Sequence, residues 1–270
     1  MKYFVFCQGD LVLEKTAAGY RIPLEAPVEV KPWTTVMDID GHKAYRIEHP
    51  ITDAHPSPLT SHHYEMCPLR QSFHRLPHED YLKAGKCHEL LYWDQNTKFC
   101  GVCGGPMRFD TPISKKCEHC GKEVWPQLAT AVIVRIRKRT PASDSSPAKD
   151  EILLVHAKNF RGDHYGLVAG FVETGETLEE AVYREVLEET GLHITNLRYF
   201  GSQPWPYPCG LMVGFTADYD FGKIHLQRSE LTKGAWFDRD HLPAIPEKMS
   251  IARQLIDAWV EERLEVRGKR

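Results

Sequence analysis

The stretch GFVETGETLEEAVYREVLEETGL, residues 170–192, constrains this chain more tightly than any other. Thr177 followed by Glu180 has the spacing of a capping box, and Gly191 suits the position just past a helix end, so the spacing predicts a helix from Leu178 to Thr190. At roughly 100° per residue, Leu178, Ala181 and Val182 share one face, and the same face leads on to Glu185, Glu188 and Glu189. An inward apolar stripe thus ends in three carboxylates. A solvated charged face is the usual reading of a Glu-rich helix, and it fits poorly here. Carboxylates at i, i+3 and i+4 repel one another and crowd the negative end of the helix dipole. A Glu180–Arg184 pair would offset only part of that. A hard divalent cation with oxygen ligands, Mg²⁺ or Mn²⁺, resolves the conflict. The approach AGFVETGE sets backbone carbonyls and a tight loop beside the same face.

The second strong pattern is FCGVCGGPMRFDTPISKKCEHCGK. It reads Cys100-x2-Cys103, thirteen residues, then Cys117-x2-Cys120. Each CxxC is followed by Gly, which lets backbone amides turn around a thiolate. Two such knuckles supply four soft ligands with no open position, the pattern of a structural zinc site. A redox dithiol would use one CxxC near a helix start. His119 lies inside the second knuckle and is redundant if Cys120 binds. A zinc ribbon can also bind nucleic acid, so it does not decide function alone. The other four of the eight cysteines, Cys7, Cys67, Cys87 and Cys209, are scattered.

Composition narrows the function class. The 270 residues are 42% hydrophobic and 26% charged with a net charge of −3, which lacks the basic excess of a nucleic-acid-binding surface; only the RGKR tail is locally basic. The opening MKYFVFCQGD is too short for a signal-peptide core, and no apolar run is long enough to span a bilayer. A cytoplasmic protein without membrane partners is expected.

Three domains are expected: an N-terminal α+β domain over 1–95, a zinc ribbon over 96–125 and a catalytic domain over 126–270. Tyr3 to about Ile51 alternates short apolar runs with turn residues and reads as mostly β. Glu79 to about Asn96 reads as a helix, against which Gly85 counts. His55, His62, His63, His74 and His78 match no metal spacing. ATAVIVRI and EILLVHA read as strands joined by the polar loop TPASDSSPAKD. Later strands are expected near 195–201, 211–218 and 234–237. An amphipathic helix follows from about Ser250 to Leu264, with Ile251, Leu255, Ala258 and Trp259 on one face.

SQPWPYPCGLM, residues 202–212, holds three prolines, a Trp and a Tyr. Proline excludes it from a helix interior and from a central strand. A rigid loop presenting flat rings and a packed surface turn are both open on these residues alone.

Written as Gly170-x5-Glu176-x7-Arg184-Glu185-Val186-x-Glu188-Glu189-x-Gly191-Leu192, the acidic helix resembles the Nudix box at every specified position. SQPWPYP closely resembles the SQPWPFP signature of the NADH pyrophosphatase branch of Nudix hydrolases, whose second mark is the zinc ribbon just ahead. The resemblance implies an α/β/α sandwich around a mixed sheet, preceded by the zinc ribbon and a mostly β N-terminal domain. It further implies metal-dependent hydrolysis of the diphosphate of NAD(H) to nicotinamide mononucleotide and AMP, and removal of an NAD cap from an RNA 5′ end. It makes Glu185 and Glu189 principal metal ligands, with Glu188 assisting, Arg184 orienting them, and Glu230 and the Ala169 carbonyl completing the metal site. For the substrate it implies Gln203, Pro204, Trp205, Pro206, Tyr207, Pro208, Cys209 and Gly210, together with Arg70, Trp125 and Ala252. Phe171, beside the box, can add another stacking ring. A homodimer is implied as well. Gly210 stands where the branch usually has Ser, which leaves ADP-ribose or another dinucleotide open as the preferred substrate. A nucleic-acid-binding zinc-ribbon protein with an inactive Nudix domain is the alternative from another class.

Overall fold

A computed structural model describes residues 1–51, 63–143, 147–160 and 162–268, with the side chains described as far as residue 262. By its internal contacts the chain divides into two units: Met1–Leu128 with Trp205–Cys209, and Ala129–Pro204 with Gly210–Arg270.

The first unit is built on β1 (Tyr3–Cys7), β2 (Asp10–Thr16), β3 (Gly19–Arg21), β4 (Met37–Ile39), β5 (His42–Arg46) and β6 (Tyr64–Pro68). They form one sheet in the order β3-β2-β1-β5-β4, with β6 also pairing to β2. Strand periodicity divides the apolar side chains between two faces. Phe4, Phe6, Leu11 and Leu13 pack in one core with Ala84, Cys87 and Leu91 of α1 (His78–Asn96), while Val5, Val12 and Tyr45 fill another. His74 and His78 sit edge-on to Phe73. His63 is exposed ahead of β6, and His55 and His62 lie outside the described residues.

The cysteine segment forms a small antiparallel sheet of β7 (Met107–Thr111), β8 (Ser114–Cys117) and β9 (Glu123–Val124). Lys115, only 2% exposed, ties it to the end of α1. Its ammonium lies 2.7 Å from the Asp94 carboxylate, donates to the carbonyls of Asp94 and Thr97, and sits over the rings of Trp93 and Phe109. A buried cation satisfied in this way is tolerable; stripped of its partners it would not be.

The second unit holds β10 (Ala129–Thr140), β11 (Lys149–Ala157), β12 (Val168–Phe171), α2 (Leu178–Thr190), β13 (His193–Trp205), β14 (Gly210–Phe221), β15 (Leu231–Asp238) and α3 (Ile251–Gly268). Its mixed sheet runs β13-β14-β10-β11-β15, with β12 paired to β10. β10 lies parallel to β14 and antiparallel to β11 and β12. Alternate residues again face opposite ways. Val132, Val134, Leu153 and Val155 pack against Ala181, Val182 and Val186 of α2, whereas Ile133, Ile152 and Leu154 pack against Leu255, Ile256 and Trp259 of α3. One helix on each face of a mixed sheet is the expected α/β/α sandwich.

Several boundaries differ from the sequence reading. All three later strands are longer, and β13 runs through Ser202, Gln203 and Pro204 to Trp205, so half of SQPWPYP is strand and only Pro206–Cys209 is turn. β13 is an edge strand, where a proline's missing donor breaks no ladder. Within TPASDSSPAKD, residues 144–146 lie outside the described residues; the flanking strands pair out to Thr140 and Lys149.

Candidate active site

The capped helix forms as its sequence dictates. The Thr177 hydroxyl accepts from the Glu180 amide, the Glu180 carboxylate accepts from the Thr177 amide, and Gly191 ends α2 at φ 68°. The expected Glu180–Arg184 pair is absent from this arrangement, because capping engages the Glu180 carboxylate.

Arg184 turns instead toward Glu176. It donates to both carboxylate oxygens of Glu176, to Glu185 at 2.8 Å, to Glu188 at 3.2 Å and to the carbonyl of Phe171 at 2.9 Å. This fork holds the Glu176 carboxyl well below its usual range, at about 2. Arg184 thereby clamps the glycine-rich approach to α2 and sets the rotamer of Glu185. The carboxyl of Glu185 lies directly against Gly170 of β12.

Glu189 is 4% exposed. Burial, followed by the charges of Glu185, Glu230 and Glu188, pushes its pKa up to about 8. Glu230 arrives from a distant part of the sequence. The Glu189 carbonyl accepts from Gln227, and the Glu230 amide donates to the Gln227 carbonyl, so the chain before β15 is tied to the end of α2. Ala169, Glu189 and Glu230 line one cleft of about 390 Å³. Lys158, Asn159, Phe160 and Ser229 also line it. These four were missed by sequence reasoning, since no motif marks them; the only available signal was position, just beyond the β11 pattern for Lys158, Asn159 and Phe160 and just ahead of β15 for Ser229.

A buried carboxylate of raised pKa among like charges is the donor set a hard cation satisfies, and the residues fit Mg²⁺ or Mn²⁺ on that ground. The four cysteines fit a different ion. Their sulfurs lie within 4.8 Å of one another, the one such group of three or more His, Cys, Asp or Glu side chains among the described residues. The Val102 amide points at Cys100, while the amides of Cys120 and His119 point at Cys117 and pull its thiol down to about 6. His119 packs its ring on Gly105 and is no member of the group.

The residues expected to meet substrate are variously disposed. Phe171 and Trp125 are 65% and 54% exposed. Trp205 is half-buried, edge-on to Tyr207 at 5.0 Å and under the Arg70 guanidinium at 5.4 Å. Pro206 is buried, Tyr207–Pro208 is cis, Pro204 and Pro208 are exposed, and Cys209 and Gly210 are half-buried. Gln203 is engaged at both ends of its amide, donating to the Met249 carbonyl at 2.6 Å and accepting from the Ile251 amide at 2.7 Å, so it anchors the start of α3. Ala252 is buried in the α3 core, which leaves only its backbone for any substrate contact.

The site is thus a capped acidic helix facing a mixed sheet, with a glycine of the preceding strand seating one of its glutamates. Residues 141–259 match the family model described as the NUDIX domain. Its curated relatives include the NAD-capped RNA hydrolase NudC of Photorhabdus laumondii, 43% identical over 175 residues that cover 64% of each chain. The protein of that name from Yersinia pestis is 44% identical over 178 residues, 66% of this chain and 65% of that one. The chain thus aligns with just under two thirds of the length of these relatives. Among solved structures, a NUDIX hydrolase from Nitrosomonas europaea has 23% identity and a TM-score of 0.45, covering 62% of this chain and 93% of that one.

Proposed function

We propose that this chain hydrolyses the diphosphate of NAD(H) to nicotinamide mononucleotide and AMP, and removes the NAD cap from an RNA 5′ end. The observation that carries the reading is the buried Glu189 carboxyl, set among Glu185, Glu188 and Glu230 at a cleft also lined by Ala169. The SQPWPYP segment and the NudC relatives support the substrate class. In this reading residues 1–95, 96–125 and 126–270 act as N-terminal domain, zinc ribbon and catalytic domain.

Glu185, Glu189 and Glu230, with the Ala169 carbonyl and assistance from Glu188, would hold Mg²⁺ or Mn²⁺. When bound, such an ion polarises phosphoryl oxygens and lowers the pKa of an attacking water. The protein's own groups do the rest. Arg184 keeps Glu185 and Glu188 oriented, a glutamate of the group accepts the proton of the attacking water, and the Phe171 ring is free to stack on a base. Zn²⁺ at Cys100, Cys103, Cys117 and Cys120 would be structural, since all four ligand positions are occupied by protein. The working form is a cytoplasmic homodimer, in which Arg70 or Ala252 is supplied to the partner's site.

Turnover of NADH, NAD⁺, ADP-ribose and NAD-capped RNA, measured with Mg²⁺ and with Mn²⁺, tests the proposal. NADH or NAD⁺ should be the best small substrate. A higher kcat/KM for ADP-ribose would overturn that assignment and bring the Gly210 position to the fore.

A further inference from the structure

The turn that completes SQPWPYP, Pro206–Cys209, belongs by its contacts to the first unit together with Trp205, although β13 up to Pro204 and β14 belong to the second. Helix α1 grips it at three successive turns. The Tyr81 and Tyr207 hydroxyls lie 2.9 Å apart. The Gly85 backbone is so close to Pro206 that an added Cβ would come within 3.0 Å of the proline Cγ. The His88 ring lies beside the backbone of Pro206 and Pro208. Tyr81, Gly85 and His88 follow one another at i, i+4 and i+7, a single stripe of the helix.

This explains a residue that sequence reasoning counted against the helix. A glycine within a helix is destabilising relative to alanine and invites a compensating reason. Here the reason is room for a proline ring. Tyr81 is held in turn by Phe73, edge-on at 5.3 Å, and is 4% exposed, so its hydroxyl is aimed rather than free to wander.

We propose that α1 is the positioning element for substrate selectivity: Tyr81, Gly85 and His88 set the backbone of Pro206–Pro208 and thereby the presentation of Trp205 to a base of the substrate. None of the three touches the reacting atoms; they act through the turn. The inference rests on the NAD(H) reading for the identity of the base, but its mechanical half stands apart from that reading. Cys209 at the end of the turn reports the mechanical half directly, because it is half-buried, whereas Cys7, Cys67 and Cys87 are buried.

Two variants of the full chain test it. Tyr81→Phe keeps the ring and deletes the hydroxyl contact. Gly85→Ala places a better helix former in α1 but pushes on Pro206. Each is measured for kcat/KM on NADH and on 5′,5′-diribosyl diphosphate, which carries no base. The zinc-loaded protein is measured in parallel for the alkylation rate of Cys209, mapped by peptide mass spectrometry. Both variants should lose about three- to tenfold on NADH, hold their rate on the baseless diphosphate and alkylate Cys209 several-fold faster. Equal losses on the two substrates, or no loss on either, overturn the proposal. Unchanged Cys209 alkylation overturns it too, whatever the substrate. If the wild-type chain fails to turn over NADH, the functional reading falls, and the alkylation rates alone decide whether α1 holds the turn.

Discussion

The carboxyl group of Glu185 rests on the backbone of Gly170: a Cβ at that glycine would lie 2.0 Å from Glu185 Cδ. No side chain can occupy that space while Glu185 keeps its place, so strand β12 and helix α2 are matched at this point atom for atom. Gly170→Ala is expected to displace Glu185, lower kcat by about a hundredfold or more, and cost about 1–3 kcal/mol of stability from overpacking. Steady-state kinetics beside a urea titration will check both, and retention of wild-type kcat would show that Glu185 has no fixed role.

Glu189 and Glu179 lie on the same helix, one buried and the other exposed. Glu189→Gln removes a charge that its surroundings disfavour and that the proposed metal would require. It should reduce turnover by about a thousandfold, weaken Mg²⁺ or Mn²⁺ binding in calorimetry, and leave the metal-free protein at least as stable as the wild type. Glu179→Gln should stay within about twofold of wild-type activity. Similar activities for the two variants would remove Glu189 from the metal site.

The aromatic groups differ in what their loss should do. Phe171 is 65% exposed, so Phe171→Ala should leave the melting temperature nearly unchanged. If its ring stacks on a base, kcat/KM for NADH falls on the order of tenfold while 5′,5′-diribosyl diphosphate is spared. Trp205→Ala, by contrast, should lower stability as well, because it strips packing from Tyr207 and Arg70. A uniform loss on both substrates for Phe171→Ala would make that ring structural.

His88 gives the first unit a pH dependence. Burial, followed by the positive charge of Arg46, depresses its pKa from an ordinary 6.5 to about 4. The unfolded chain therefore takes up a proton on this ring at a higher pH than the folded one. Stability from this group is complete above about pH 6.5, declines as the pH falls, and levels off below about 4. The full loss is roughly 3 kcal/mol. Chemical denaturation at pH 7.5, 6, 5 and 4 should show the decline, and His88→Asn should flatten it. An equal slope in the variant would assign the dependence to other groups.

The four-cysteine cluster should hold one zinc per chain by elemental analysis. Cys117→Ser removes the thiol that backbone amides pull down to about 6, so zinc content and melting temperature should fall together. Disulfides among the four in freshly purified protein would refute the metal assignment.

What could be read from the sequence is what depends on spacing along the chain. The bounds of α2, its capping box, its left-handed Gly191 and the turn of its stripe from Ala181 and Val182 to Glu189 all follow from 3.6-residue periodicity and local hydrogen bonding. The four thiols follow from two tight knuckles in the same way. Tertiary structure alone decided the rest, because packing joins residues that no period relates. It placed Glu185 on Gly170, Glu230 beside Glu189 through Gln227, and Arg184 on Glu176 rather than Glu180. It buried the Lys115 ammonium on Asp94, engaged both ends of the Gln203 amide, and set Pro206 on Gly85. A helix period shows which side chains can share a face; which backbone that face meets is decided only when distant segments exclude water together.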